Sequence, residues 1–322
     1  MMYRLRPYLG DASARELRAR MDDVLRNMLT FTPEGKVGAL APDLGGVMWA
    51  QKMTDLQVEC GRREADIKQL GSVMSDLPFQ NAALELIREN PEAGRYVGRS
   101  GVLCKFGERR WMTELINFGR LRLAPASYYR GSDHNAARQD DELALPVYVS
   151  PYDYDLGLLS PKILELCPVR NWHRLSVRKP TDHYLYCMAV SFDLRYFFDF
   201  AADKRIAESC VMIRDYDAFT DRLKKAAAEA LPGFEVMFDS VRYVDPYLLV
   251  HTFPSAPDIY FFKSFRFLYQ REHRLVAVPT EPVLANLEPV NLELGNLREF
   301  AELIEMRSPT AGSLEPQSDD AT

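Results

Sequence analysis

The hardest part of this 322-residue chain to place in a fold is a polar knot between an aromatic run and a core strand. Residues 261–278 read FFKSFRFLYQREHRLVAV. The run begins aromatic and basic and ends as a buried-type strand, Leu275 to Val278. Between them stand Gln270, Arg271, Glu272, His273 and Arg274. Strand residues alternate faces, so Glu272 and Arg274 point the same way. A carboxylate on a strand that runs into a core is costly to bury, so it needs a partner or a chemical role. The plainer expectation is an edge-strand ion pair between Glu272 and a neighbouring arginine.

Apolar residues make up 47% of the chain, enough for one large or two ordinary cores. The formal charge of −6 argues against a surface coated in positive charge for wholesale DNA binding. It leaves room for a local basic groove. The five cysteines, Cys60, Cys104, Cys167, Cys187 and Cys210, are scattered, odd in number and free of any C-x-x-C pair. That pattern fits reduced thiols in a cytoplasm and not a zinc ribbon or disulfide scaffold. Cys104, Cys187 and Cys210 fall in apolar runs, as small core residues do. Residues 1–20 are studded with arginine, and no apolar run approaches a membrane span, so a soluble cytoplasmic protein is expected.

Periodicity divides the chain into three. Residues 1–98 read as a helical accessory domain. Apolar residues at three-four spacing predict a helix over 12–31, capped by Asp11. Further helices are expected over 48–74 and 78–90. From residue 99 to 306 the texture is mixed α+β. A strand over 101–106, a helix over 108–118 closed by Gly119 and a strand over 120–129 form one compact unit. Asp140, Asp141 and Glu142 are expected on a helix. Strands follow over 145–149, 183–192, 208–214 and 234–244, with a helix over 216–231. Residues 297–306 read as a closing helix, and 307–322 as a disordered tail. Between 160 and 180, Arg170, Arg174, Arg178 and Lys179 surround Trp172. Basic residues interleaved with an aromatic suit an RNA or DNA backbone, although a solvated positive loop is the commoner outcome.

The segments VLCKFGERR, LINFGRLRLAPASYY, YCMAVSF and FFKSFRFLYQREHRLV occur in an order that resembles a broad bacterial group of uncharacterised domains. That group accompanies toxin and phage-defence systems, and its layout looks like the ADP-ribosyltransferase fold. The resemblance covers roughly residues 98–282. It departs from the group where Ser132-Asp133-His134-Asn135 replaces the usual Asn-Asp-Pro. It implies a split, mainly antiparallel sheet clasping NAD, the substrate, alongside the helical N-terminal domain. Carried over residue by residue, Lys105 and Arg109 match the first-strand cation that binds the cofactor. Tyr128 and Tyr129 match an aromatic that stacks on nicotinamide. Ser191 matches a middle-strand hydroxyl, Glu272 the late catalytic carboxylate, and Arg274 completes its Glu-x-Arg.

That set makes chemical sense. Breaking the nicotinamide–ribose bond builds positive charge on the ribose, which a fixed carboxylate stabilises best in a water-poor cleft. The acceptor would be a macromolecule, and residues 1–98 would bind a regulatory or antitoxin protein. Two other readings fit the same chain. One is a magnesium-dependent nuclease with Asp140, Asp141, Glu142 and Glu272 as ligands. The other is a non-enzymatic module whose helical part docks a partner.

Overall fold

The computed structural model describes residues 2–39, 46–63, 79–130, 140–201, 207–248, 257–281 and 286–307. The expected tail at 307–322 lies outside them beyond residue 307, as do the Ser132–Asn135 loop and the end of the helix expected over 48–74.

The chain opens with helices α1 (Met2–Leu5) and α2 (Ala14–Met28), a hairpin of β1 (Leu29–Phe31) and β2 (Val37–Ala39), then α3 (Gly46–Arg62) and α4 (Phe79–Glu89). Helix α2 starts two residues later than expected because Ser13, not Asp11, caps it. The Ser13 hydroxyl accepts from the Glu16 amide while the Glu16 carboxylate accepts from the Ser13 amide, a reciprocal box. Asp11 is engaged instead by Arg174.

The α+β region follows. Strand β3 (Leu103–Gly107), helix α5 (Arg109–Phe118) and strand β4 (Arg120–Pro125) form the expected compact unit. After it come β5 (Ala144–Val149), α6 (Pro151–Asp155), α7 (Pro161–Leu166), β6 (His173–Arg178) and β7 (Tyr184–Ala189). Next are α8 (Tyr196–Asp199), β8 (Ser209–Ile213), α9 (Tyr216–Ala230), β9 (Phe234–Ser240) and β10 (Arg242–Val244). The last strands are β11 (Phe262–Ser264), β12 (Glu272–Pro279), β13 (Val290–Glu293) and β14 (Ala301–Glu305).

The main sheet is antiparallel and forks at β7. Along one edge β7 pairs with β12 from Tyr184 to Ala189, and β12 pairs in turn with β9. Along the other edge Tyr184 and Leu185 pair with β4, whereas Ala189 pairs with β3. Two branches leave from there, β4–β13 and β3–β8–β14. One face of the sheet packs on α5 and α9 through Leu115, Ile116, Phe219, Leu223, Tyr186 and Leu275. The other face carries Cys104, Phe106 and Ala189 toward the aromatic cluster around Phe192 and Phe197, and Leu185 and Val276 toward β5.

The closing helix expected over 297–306 is an edge strand instead. Residues Ala301 to Glu305 pair with Ile213 to Ser209 and satisfy the outer edge of β8. An exposed ladder of backbone groups outranks the helix propensity of Leu, Arg, Glu and Ala. The acidic run at 140–142 is not helical either but runs into a turn over 141–144 that leads to β5.

Gly119 closes α5 as its spacing predicts, with φ +65°. A Cβ there would lie 2.5 Å from the Gly295 carbonyl oxygen, whereas at Gly157, φ +63°, it would meet nothing within 4 Å. Gly157→Ala should therefore cost only the left-handed backbone term, about 1 kcal/mol, and Gly119→Ala at least about twice that. Urea denaturation of the two variants checks the ranking.

Candidate functional site

Glu272 opens β12, an interior strand between β7 and β9, so the expected edge position is corrected. The alternation read from the sequence holds: Glu272 and Arg274 share a face, and the Arg274 Nη2 donates to Glu272 Oε2 at 2.5 Å. The other carboxylate oxygen of Glu272 accepts from Lys263 Nζ at 2.8 Å. Lys263 stands on β11, a three-residue strand that runs parallel to β10. Its ammonium also donates to the Gln270 side-chain oxygen at 3.0 Å. The Tyr243 hydroxyl, from β10, accepts the Glu272 amide proton at 2.8 Å.

Residues far back in the chain complete the group. Arg274 makes two bonds to Glu142, at 2.8 and 3.1 Å, and is fully buried. Lys263 lies 3.2 Å from Glu142 and 3.6 Å from Asp140. Lys179, just past β6, lies 3.6 Å from Glu142. The cluster thus holds Asp140, Glu142 and Glu272 against Lys179, Lys263 and Arg274, with formal charges that cancel. A turn over 141–144 makes this possible. Asp140 and Glu142 point inward, while Asp141 points out to a surface pair with Arg130.

The six groups do not titrate alike. Burial alone would raise Glu272, but Lys263 and Arg274 outweigh it and hold the carboxyl at about 2. Glu142 is likewise held well below the ordinary range, since Arg274, Lys263 and Lys179 overcome its burial. Asp140 goes the other way. Burial, helped by the Glu142 charge and only partly opposed by Lys263, lifts it to about 6. Burial also draws Lys179 down to about 8 against the pull of Glu142. One acid and one amine therefore sit near neutrality beside groups fixed in their charged forms, an arrangement suited to proton handling. Asp140 is also the carboxylate with the most solvent access, its side chain 16% exposed against 5% for Glu142 and 6% for Glu272.

The residues singled out from the sequence are distributed unevenly around this cluster. Arg274 and Glu272 are its centre. The Asp140 amide donates to the Tyr129 carbonyl at 3.3 Å, which places Tyr129 at the rim. Tyr128 turns to the surface, its ring edge-on to Tyr129 and covered by Arg122. Ser191 is buried past the end of β7, near Tyr196. Lys105 does not join the cluster. Cys104 is level with Ala189 and Glu272, so its neighbour Lys105 points to the opposite face, with its ammonium 4.5 Å from the Tyr186 ring centre. There it donates to the Cys187 carbonyl at 2.7 Å, at the fork where neither β3 nor β4 pairs with that residue. Arg109 is exposed at the start of α5 and pairs with Glu305, on the outer branch.

The basic stretch does not make one groove. Arg170 is paired with Asp155, Trp172 packs edge-on to Tyr152, and Arg174 is held by Asp11 and Glu16. Lys179 is buried in the cluster, which leaves Arg178 facing outward from β6. Cys104 and Cys210 are core residues as expected, whereas half-buried Cys187 stands beside the cluster. Among the described residues no group of His, Cys, Asp and Glu is placed to hold a metal ion. No described helix is long and apolar enough to cross a membrane.

Compared with family models, with curated proteins and with solved structures, the chain finds no match in any of the three.

A depressed carboxyl favours the folded state above its unfolded pKa, and that contribution is lost as pH falls through the folded value. For Glu272 the window runs from about 4.5 down to about 2. Glu272→Gln, which also leaves Lys263 and Arg274 short of an acceptor, should cost about 3 kcal/mol at pH 7. Asp140 is raised, so its ionisation opposes folding at neutral pH, and Asp140→Asn should leave stability unchanged or higher. Urea denaturation at pH 7 tests both signs.

Proposed function

We propose that the protein is an NAD-dependent ADP-ribosyltransferase whose reaction centre is the charge cluster around Lys263. The chain-order resemblance supports the activity, and the forked antiparallel sheet is in keeping with the split sheet it implies. The observation that carries the location is Asp140: a desolvated carboxylate at the rim of a buried charge network, titrating near 6.

The chemistry asks for a negative group where the ribose becomes positive. As the nicotinamide leaves with the bonding electrons, the anomeric carbon turns oxocarbenium-like, and a nucleophile on the acceptor closes the new bond. Both oxygens of Glu272 are tied to cations, which cancels most of its field toward a third group. In this reading Glu272 positions Lys263 and Arg274, and Asp140 carries the role that the resemblance gives to the late glutamate. Ionised above pH 6, Asp140 stabilises the ribose cation or accepts the nucleophile's proton. Exposed Arg266, whose charge acts on Asp140, would be the candidate for the pyrophosphate, and Tyr129, whose carbonyl accepts from the Asp140 amide, the candidate to stack on a ring. The acceptor is a macromolecule, protein or nucleic acid, as an effector of toxin or phage-defence type would use.

A second reading has one observation in its favour. Three carboxylates converge on the Lys263 ammonium at 2.8, 3.2 and 3.6 Å; since the described carboxylates form no ready metal site, a nuclease would need magnesium to displace that ammonium.

Incubation with labelled NAD and separate pools of protein, RNA and DNA separates the two. The first predicts release of nicotinamide, with a rate that falls as pH drops below about 6 and that Asp140→Asn lowers by about 10²–10⁴-fold. Full turnover in that folded variant, or cleavage of nucleic acid by magnesium without NAD, contradicts it.

A further inference from the structure

We propose that the N-terminal helical region is a wall of the charge cluster, and that Asn27 on α2 is a positioning residue for Lys263. Asn27 is completely buried, and its amide ties its own helix to one distant piece of chain. Its Nδ2 donates to the Arg266 carbonyl at 3.0 Å, and its Oδ1 accepts from the Tyr269 amide at 2.7 Å. The same Nδ2 also donates to the Asp23 carbonyl at 2.7 Å. The Arg266 and Tyr269 groups belong to the single 3₁₀ turn Phe265–Gln270. An amide is needed here, because the site asks for a donor and an acceptor on one short side chain.

The turn is the link between α2 and the cluster. It follows Lys263 by one residue and ends in Gln270, whose oxygen accepts from the Lys263 ammonium. Arg271 then enters β12 with φ +43°, the left-handed region that a non-glycine residue holds only when its surroundings dictate it.

A second tie runs through Phe265 and the end of β10. Phe265 is stacked on Trp49 of α3 with ring centres 5.6 Å apart. Arg20 and Lys52 lie over the Phe265 ring at 4.9 and 5.1 Å. Both cations converge on Asp245, Arg20 at 2.6 Å. Asp245 directly follows β10, where Tyr243 is level with Lys263 on β11. Helices α2 and α3 therefore hold the turn that follows Lys263 and the end of the neighbouring strand β10, and Phe265 is part of their apolar core. Residues 1–98 are in this respect not an accessory to the cluster.

The test reads the cluster directly and needs no turnover. Asn27→Asp keeps the shape of the side chain but replaces the donor with an oxygen facing two carbonyls. Loosening the turn should move Lys263 away from Asp140 and reduce the cation that opposes its burial. The Asp140 carboxyl, followed by carbon NMR, should then titrate about one unit above its value in the native protein. Amide exchange at Tyr269, Gln270 and Glu272 should speed up by about tenfold, with β8–β14 unchanged. Leu223→Ala, a core truncation in α9 on the opposite face of the sheet, should leave the Asp140 titration where it was. An Asn27→Asp protein with native titration and native exchange at the turn overturns the inference, and so does an equal shift in Leu223→Ala. A native protein that cleaves no NAD overturns the proposed function alone, and the titration and exchange still decide this inference.

Discussion

Lys263 is the contact on which the rest depends. One buried ammonium meets Glu272, Glu142 and Asp140, carboxylates from two stretches more than a hundred residues apart. Removing such charges from water costs several kcal/mol each, and the cost is offset only when every charge finds a partner in good geometry. Arg274 meets that condition at Glu142 and Glu272, whereas the Lys179 ammonium stands 3.6 Å from Glu142 without a hydrogen bond among the described residues. A network of this kind is weak evidence of stability and better evidence that one arrangement of the chain is being specified. Its members are tied to β11, β12, the approach to β5 and the end of β6, so a displacement in any of these strands breaks a pair.

The balance also separates the roles of the acids. Glu272 and Glu142 are fixed in their anionic forms by the cations that face them. Asp140 has more burial than compensation and sits closest to solvent, so it is the acid free to change state near neutral pH. The proposed reactivity would rest on incomplete pairing at the rim, and precision on the bonded pairs of Glu272 and Glu142 behind it.

Much of this was legible in the sequence where the signal was local. The alternation of Glu272 and Arg274, the unit of β3, α5 and β4, the glycine that ends α5 and the long helix α9 all depend on residues a few positions apart. What could not be read depends on distance along the chain. Nothing near Lys263 or Lys179 announces Glu142 as a partner, and Lys179 looked like one more charge in a basic stretch. Lys105 was matched by order alone; its face follows from the parity of Cys104 against Ala189, which needs the strand pairing. The last segment, LREFAELIEM, carries helix-forming residues, yet the open edge of β8 decides its form. The cap of α2 is a different case: the Ser13-x-x-Glu16 box that displaces Asp11 is itself local.

The central claim is that this cluster, and not another surface, receives NAD. The most direct measurement is titration of the native protein with a non-cleavable NAD analogue, followed by amide and side-chain NMR shifts. The account predicts saturable binding with the largest shifts at Asp140, Lys263, Arg266 and Tyr129. Binding that leaves those four resonances unmoved, or no binding at millimolar analogue, contradicts it.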